Sequence, residues 1–137
     1  MIRPLVIPFF LLMAIGCMSA PKTARAVNGA DGRLLFLLVA EYSESNGRMP
    51  PNLYVLDFSS CNTGGHQTTL ADLRSVSSDR KHEADFLYFG TSQRLETLDP
   101  QRVVIASPFP GTSREGRFVV RANGRSEYLS ESDFSRR

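Results

Sequence analysis

Few side chains in this sequence have chemistry to offer. There are two cysteines, Cys17 and Cys61, and two histidines, His66 and His82. A nucleophilic enzyme needs a serine or cysteine beside a histidine that an acid orients. His66 follows Gly64-Gly65 in a polar stretch, and His82 sits in Asp79-Arg80-Lys81-His82-Glu83, a mixed-sign run that reads as an exposed turn. Neither histidine has a second ligand at H-x₃-H or C-x₂-C spacing, so no metal site is expected. The sequence holds no G-x-S-x-G elbow, Gly-rich phosphate loop or zinc-protease helix. Glu41 and Glu44 lie three apart on a helical segment and read as a solvated face. Cys61 reads as a half-buried small apolar residue. The expectation is a non-enzyme with no catalytic, cofactor or metal residues. The competing reading is a small exported ligand-binding or enzymatic domain that uses the loop Ser59–Arg80, where Cys61 and His66 sit.

Cys17 has a different chemistry in view. Residues 1–26 read MIRPLVIPFFLLMAIGCMSAPKTARA. Arg3 supplies a positive start, and Leu5 to Gly16 is an apolar run of about a dozen residues. At about 1.5 Å rise per residue it is too short for a hydrocarbon core of about 30 Å, and it fits the apolar region of an export signal. Two processing sites compete. Ala14-Ile15-Gly16-Cys17 matches a bacterial lipobox, with Ala14 where leucine is usual, and would make Cys17 the lipidated new N-terminus. Ala24-Arg25-Ala26 is an A-x-A site for ordinary signal peptidase. Either way 1–26 is a signal sequence and 27–137 a single domain.

Composition supports one globular domain. The chain has 137 residues, 42% hydrophobic and 22% charged, with a net charge of +2. That near-balance gives no drive toward nucleic acid. With Cys17 lipidated or removed, Cys61 has no disulfide partner, so stability must come from packing.

The elements follow from periodicity and breakers. Asn28 to Gly32 is polar and glycine-containing and predicts a hinge or the start of a helix, with Asp31 able to cap it. Leu34, Leu35, Leu38 and Tyr42 recur at helical spacing, and Phe36, Leu37 and Val39 widen the apolar face almost all round. Such a helix packs on a sheet, or continues into a membrane or a partner. Asn46-Gly47 stops it and Pro50-Pro51 reinforces the stop. Leu53 to Phe58 is short, helical or extended. Ser59–Arg80 reads as a long loop with a helical turn near Leu70–Leu73. Ala84–Gly90 and Arg102–Ala106 predict strands. Arg117–Ala122 and Arg125–Leu129 flank Asn123-Gly124, which predicts a two-residue type I′ turn pairing Val119 with Tyr128 and Phe118 with Leu129. Ser130-x-x-Asp133 predicts a capped last helix through Phe134. The fold class is therefore α+β: a signal segment, one long helix on an antiparallel sheet of three to four strands, and a short C-terminal helix.

The segment L-x-x-x-Y-S-E-S-N-G-R-M-P-P-N-L, from Leu38 to Leu53, resembles the stretch after the hydrophobic helix in bacterial type IV pilin-like and type II secretion pseudopilin-like proteins. Ala84–Gly90 is similar to their aromatic strand. The run from Gly116 to Phe134 is similar to their final hairpin, with Asn123-Gly124-Arg125 where Asp-Gly-His is common. Cys61 stands where those proteins often have Cys-Pro, followed here by Asn62. The likeness covers roughly residues 34–134. This chain has no prepilin processing motif ahead of an apolar stem of about 20 residues, and no dense D-x-D pattern for calcium. The resemblance implies a head domain that works by protein contact. The expected function is an exported, non-catalytic envelope lipoprotein, anchored in the membrane through Cys17 or free in the periplasm, touching another envelope or secretion-system protein.

Overall fold

The computed structural model describes residues 23–111 and 116–136. The lipobox and Cys17 lie outside the described residues. The A-x-A site falls in the first turn of helix α1.

Helix α1 spans Ala24–Asn46. It starts earlier than the expected position near Asn28–Gly32. Thr23 is its N-cap, accepting the Ala26 N–H on its side chain at 3.1 Å, and Asp31 lies within the helix. Gly29 and Gly32 are interior, buried positions of the helix rather than a hinge, and Gly32 serves close packing. A Cβ at Gly32 would stand 2.3 Å from Phe118 Cε1. The loss of helix propensity at glycine, about 1 kcal/mol, is offset by letting the sheet approach. The C-terminus is as expected: Gly47 takes the left-handed conformation at φ 72°, and its N–H bonds Ser43 O. Leu37 is 63% exposed, so the apolar face does not close round the helix. No helix among the described residues is long and apolar enough to cross a membrane.

After α1 comes a 3₁₀ turn, Leu53–Val55. The stretch read as one loop holds more structure than expected. β1 (Asn62–Thr63) pairs with β2 (His66–Gln67), a 3₁₀ turn covers Leu70–Asp72, and β3 (Ser75–Val76) pairs with β4 (Glu83–Ala84). Two-residue strands leave no periodicity to read. The expected strand Ala84–Gly90 is likewise divided, between β4 and β5 (Leu87–Tyr88).

The main sheet is an antiparallel meander of four strands. β5 is followed by β6 (Val103–Ala106), β7 (Arg117–Arg121) and β8 (Ser126–Leu129), adjacent in that order. Helix α2 (Glu131–Ser135) closes the chain, with Ser130 Oγ accepting the Asp133 N–H at 3.1 Å. One sheet face packs on α1: Leu35, Leu38 and Val39 share a core with Val104, Ile105, Phe118 and Val120. Val103, Ala106 and Val119 face the other way, under Phe134 of α2. A register shift between Val103 and Ile105 lets the adjacent residues Val104 and Ile105 both join the α1 core. Arg117 ties α2 down, with two bonds to Glu131 at 2.9 and 3.1 Å and its guanidinium 4.4 Å from the Phe134 ring centre.

The β7–β8 turn corrects the expected register by one residue. Phe118 pairs with Tyr128, and Arg117 with Leu129. The connection has three residues, Ala122–Gly124. Gly124 N–H bonds Arg121 O at 2.8 Å, Arg121 N–H bonds Arg125 O at 2.9 Å, and among the turn residues only Gly124 has positive φ, at 85°. The tip is tethered from outside the hairpin: Ala122 N–H reaches Arg102 O at 2.8 Å and Asn123 N–H reaches Pro100 O at 3.2 Å. These bonds fasten the turn to the segment that leads into β6, and Asn123 keeps a negative φ where a type I′ turn would need a positive one. The shift brings Tyr128 against Phe118, edge-on at 5.6 Å between ring centres. Gly124→Val is expected to cost about 1–3 kcal/mol, since a β-branched residue resists positive φ and its Cβ would meet Phe36 at 3.3 Å. Asn123→Asp should be nearly silent, because a carboxylate accepts the same Arg125 N–H that Asn123 Oδ1 accepts at 3.0 Å. Urea titration of both variants checks this. Equal stabilities would refute the left-handed position.

Two sets of buried polar groups position α1. Near its start, Asn28 Oδ1 accepts the Val76 N–H at 2.8 Å and the Ser75 hydroxyl at 3.0 Å, while Nδ2 donates to Val76 O at 3.0 Å. Ser75 has one hydroxyl proton, given to Asn28, so Ser107 must donate to Ser75 Oγ across their 2.7 Å contact. Ser107 Oγ in turn accepts the Phe109 N–H at 3.1 Å. Near the end of α1, Ser43 Oγ accepts the Leu95 N–H at 2.9 Å, and just beyond it Met49 N–H donates to Gln93 O at 2.9 Å.

Candidate functional site

The residues singled out for chemistry do different work. His66 Nε2 lies 3.3 Å from Asp72 Oδ2, which also accepts the Thr69 N–H at 2.9 Å and the Thr69 hydroxyl at 3.2 Å. The Thr69 N–H, and after it His66, hold the Asp72 carboxyl below the usual carboxylate range. His66 thus braces the 3₁₀ turn Leu70–Asp72. Cys61 is a half-buried free thiol whose carbonyl accepts the Thr68 N–H at 2.8 Å and Gln67 Nε2 at 3.1 Å. His82 closes the β3–β4 turn: its N–H bonds Ser77 Oγ and its carbonyl accepts the Ser77 N–H. Glu41 and Glu44 are exposed on α1. Among the described residues, no group of three His, Cys, Asp or Glu side chains could hold a metal ion.

A different place collects unused surface. Pro50-Pro51 turns the chain out of α1, and Asn52 Oδ1 accepts the Tyr54 N–H at 2.9 Å to start the next 3₁₀ turn. That turn buries Leu53 in the core and leaves Tyr54 75% exposed, with Val55 exposed beside it. Tyr54, Val55 and Leu37 are the large apolar side chains standing in solvent among the described residues. Tyr54 forms one wall of a groove of ≈ 240 Å³ whose other side is Phe86 and Tyr88. Its hydroxyl lies 3.3 Å from Asp85 Oδ2. Arg74 stands behind: its guanidinium reaches Glu83 Oε1 at 3.2 Å, and its Nε is 3.4 Å from Asp85 Oδ1. The buried Nε has no aligned acceptor, so its relation to Asp85 is a charge contact rather than a hydrogen bond.

Tyr88 anchors the groove floor. Its hydroxyl donates to Pro50 O at 2.6 Å. Burial, and next the nearby Tyr42 phenol, push its pKa well above the ordinary 10.0. A phenol whose folded pKa is raised stabilises the fold below the unfolded value and loses that contribution as pH rises. Stability should therefore fall as pH climbs past about 10. Tyr88→Phe should flatten that alkaline limb while costing about 1 kcal/mol at neutral pH. Thermal melts across the alkaline range measure both, and an unchanged limb would dismiss Tyr88 as its source.

Sequence reading missed this groove because its parts are far apart in the chain. The local signals were Pro-Pro and a short element over Leu53 to Phe58, helical or extended, neither of which points to a groove. No protein-family description, curated protein or solved structure matches the chain.

Proposed function

We propose that this chain is an exported, non-catalytic bacterial envelope protein, held to the membrane by lipid on Cys17, whose pilin-like head works by contact with another envelope or secretion-system protein. The observation that carries the reading is the Tyr54–Val55 pair. Two adjacent large apolar residues are presented to solvent by a rigid turn, beside a preformed groove. Leaving such surface exposed has no folding benefit, and aromatic residues on rigid supports are the usual anchors of protein interfaces. In this reading the head is the long helix, the irregular segment and the antiparallel meander that follows. The His66 ring is taken up by Asp72 in bracing the loop, which favours this reading over a site in Ser59–Arg80.

The test has two arms. The protein should sediment with membranes and incorporate labelled palmitate, and Cys17→Ser should abolish the label. A photo-cross-linking residue at Tyr54 should capture one defined partner in cells, and the same residue at Arg136 should not. Soluble, unlabelled protein beginning at Val27 would overturn the lipid anchor. Cross-links spread equally over both positions would overturn the contact surface.

A further inference from the structure

We propose that the Tyr54–Tyr88 groove receives one basic side chain, lysine or arginine, carried by a partner protein. This rests on the reading of the head as a protein-contact module and names the chemistry of its partner.

The groove is complementary to an amphipathic cation. Its lining is mostly apolar, with Pro51, Leu53, Tyr54, Leu70, Phe86 and Tyr88 beside Asn52, and among the described residues Asp85 is the only ionised one. An anion would be repelled by that carboxylate, whose charge Arg74 offsets only in part. A purely aliphatic side chain would desolvate the carboxylate and return nothing. Lysine and arginine lay an alkyl stem along apolar surface and keep a charged head for a carboxylate or an aromatic face.

Local charge is also incomplete. Among the described residues, Glu83 and Asp85 share the guanidinium of Arg74, leaving one negative charge over. The closer approach goes to Glu83, at 3.2 Å, and the approach to Asp85 lacks hydrogen-bond alignment. Among the described residues, Asp85 has one weak donor, the Tyr54 hydroxyl at 3.3 Å, whereas a carboxylate accepts about four hydrogen bonds. The side chain of Asp85 is half exposed, so its remaining acceptor positions are open to an incoming ammonium or guanidinium. The Tyr54 ring, standing beside it in solvent, offers the π-face.

The experiment follows amide shifts of the ¹⁵N-labelled full chain on titration with N-acetyl-lysine methylamide. N-acetyl-norleucine methylamide, with the same stem and no charge, is the control. The lysine probe should shift Tyr54, Val55, Asp85 and Phe86, with affinity on the order of millimolar, weakening as salt rises. The norleucine probe should leave them unmoved. Asp85→Asn and Tyr54→Ser change exposed side chains, so the rest of the spectrum should stay in place while affinity falls about tenfold in each. Equal shifts from both probes, shifts elsewhere only, or full affinity in Asp85→Asn would overturn the assignment. If Asp85→Asn binds normally while the Tyr54 cross-link persists in cells, the basic-side-chain assignment alone fails. Loss of the cross-link as well removes the contact reading beneath it.

Discussion

Asn28→Ala is expected to cost about 2–4 kcal/mol in urea titration, far more than its composition class suggests. The truncation removes three hydrogen bonds together and strands the N–H and C=O of Val76, which the amide serves as a neighbouring strand would. Each lost bond counts for about 1 kcal/mol, and an unpaired buried partner for about 1–3 kcal/mol. Ser75→Ala breaks the links to Ser107 and to Asn28 Oδ1 but leaves both Val76 bonds, so it should cost less, about 1–2 kcal/mol. Against a domain stability of about 5–15 kcal/mol, the first substitution threatens the fold and the second does not. Equal effects would show that the Asn28 amide does not hold β3 to the helix.

Leu35→Ala should be at least as severe, at about 2–5 kcal/mol. Leu35 is fully buried between α1 and the sheet, where Gly32 brings Phe118 close. The surrounding β-branched side chains of Val39, Val104 and Val120 are stiff and cannot collapse into the space. Leu37→Ala, two residues on, is the control. Its exposed side chain should change stability by less than about 0.5 kcal/mol. A large effect at Leu37 in the isolated protein would mean that this helix face is covered after all.

The contrast between those two leucines shows what the sequence could disclose. Helical spacing pointed to Leu35 and Leu38 correctly, and the Asn46-Gly47 stop, the strand over Val103–Ala106 and the Ser130 cap were all local signals. The start of α1 was not readable, because glycine normally argues against helix, and only the distant Phe118 ring explains Gly32. The hairpin turn was recognised but its length was not. Asn-Gly serves both two- and three-residue connections, and the choice rests on bonds from Pro100 and Arg102, some twenty residues upstream. The Tyr54 groove depends on a similar conjunction. Whether an aromatic after Pro-Pro is core or surface turns on what Asp85 and Tyr88 do, and short strands such as β4 and β5 leave no pattern to say so.

The polar clasp between Ser43 and Leu95 has a consequence for how the molecule breathes. Leu95 opens a 3₁₀ turn whose own bonds protect Thr97 and Leu98, not Leu95. Its amide proton is nevertheless buried and given to the Ser43 hydroxyl inside the helix. In deuterated solvent that proton should exchange only when the whole domain opens, at the slow rate of central β7 amides such as Val119. Glu96, one residue on and exposed, should exchange early. Slow-exchange sites would then run beyond the sheet into an irregular segment and mark Leu95 as part of the last unit to come apart.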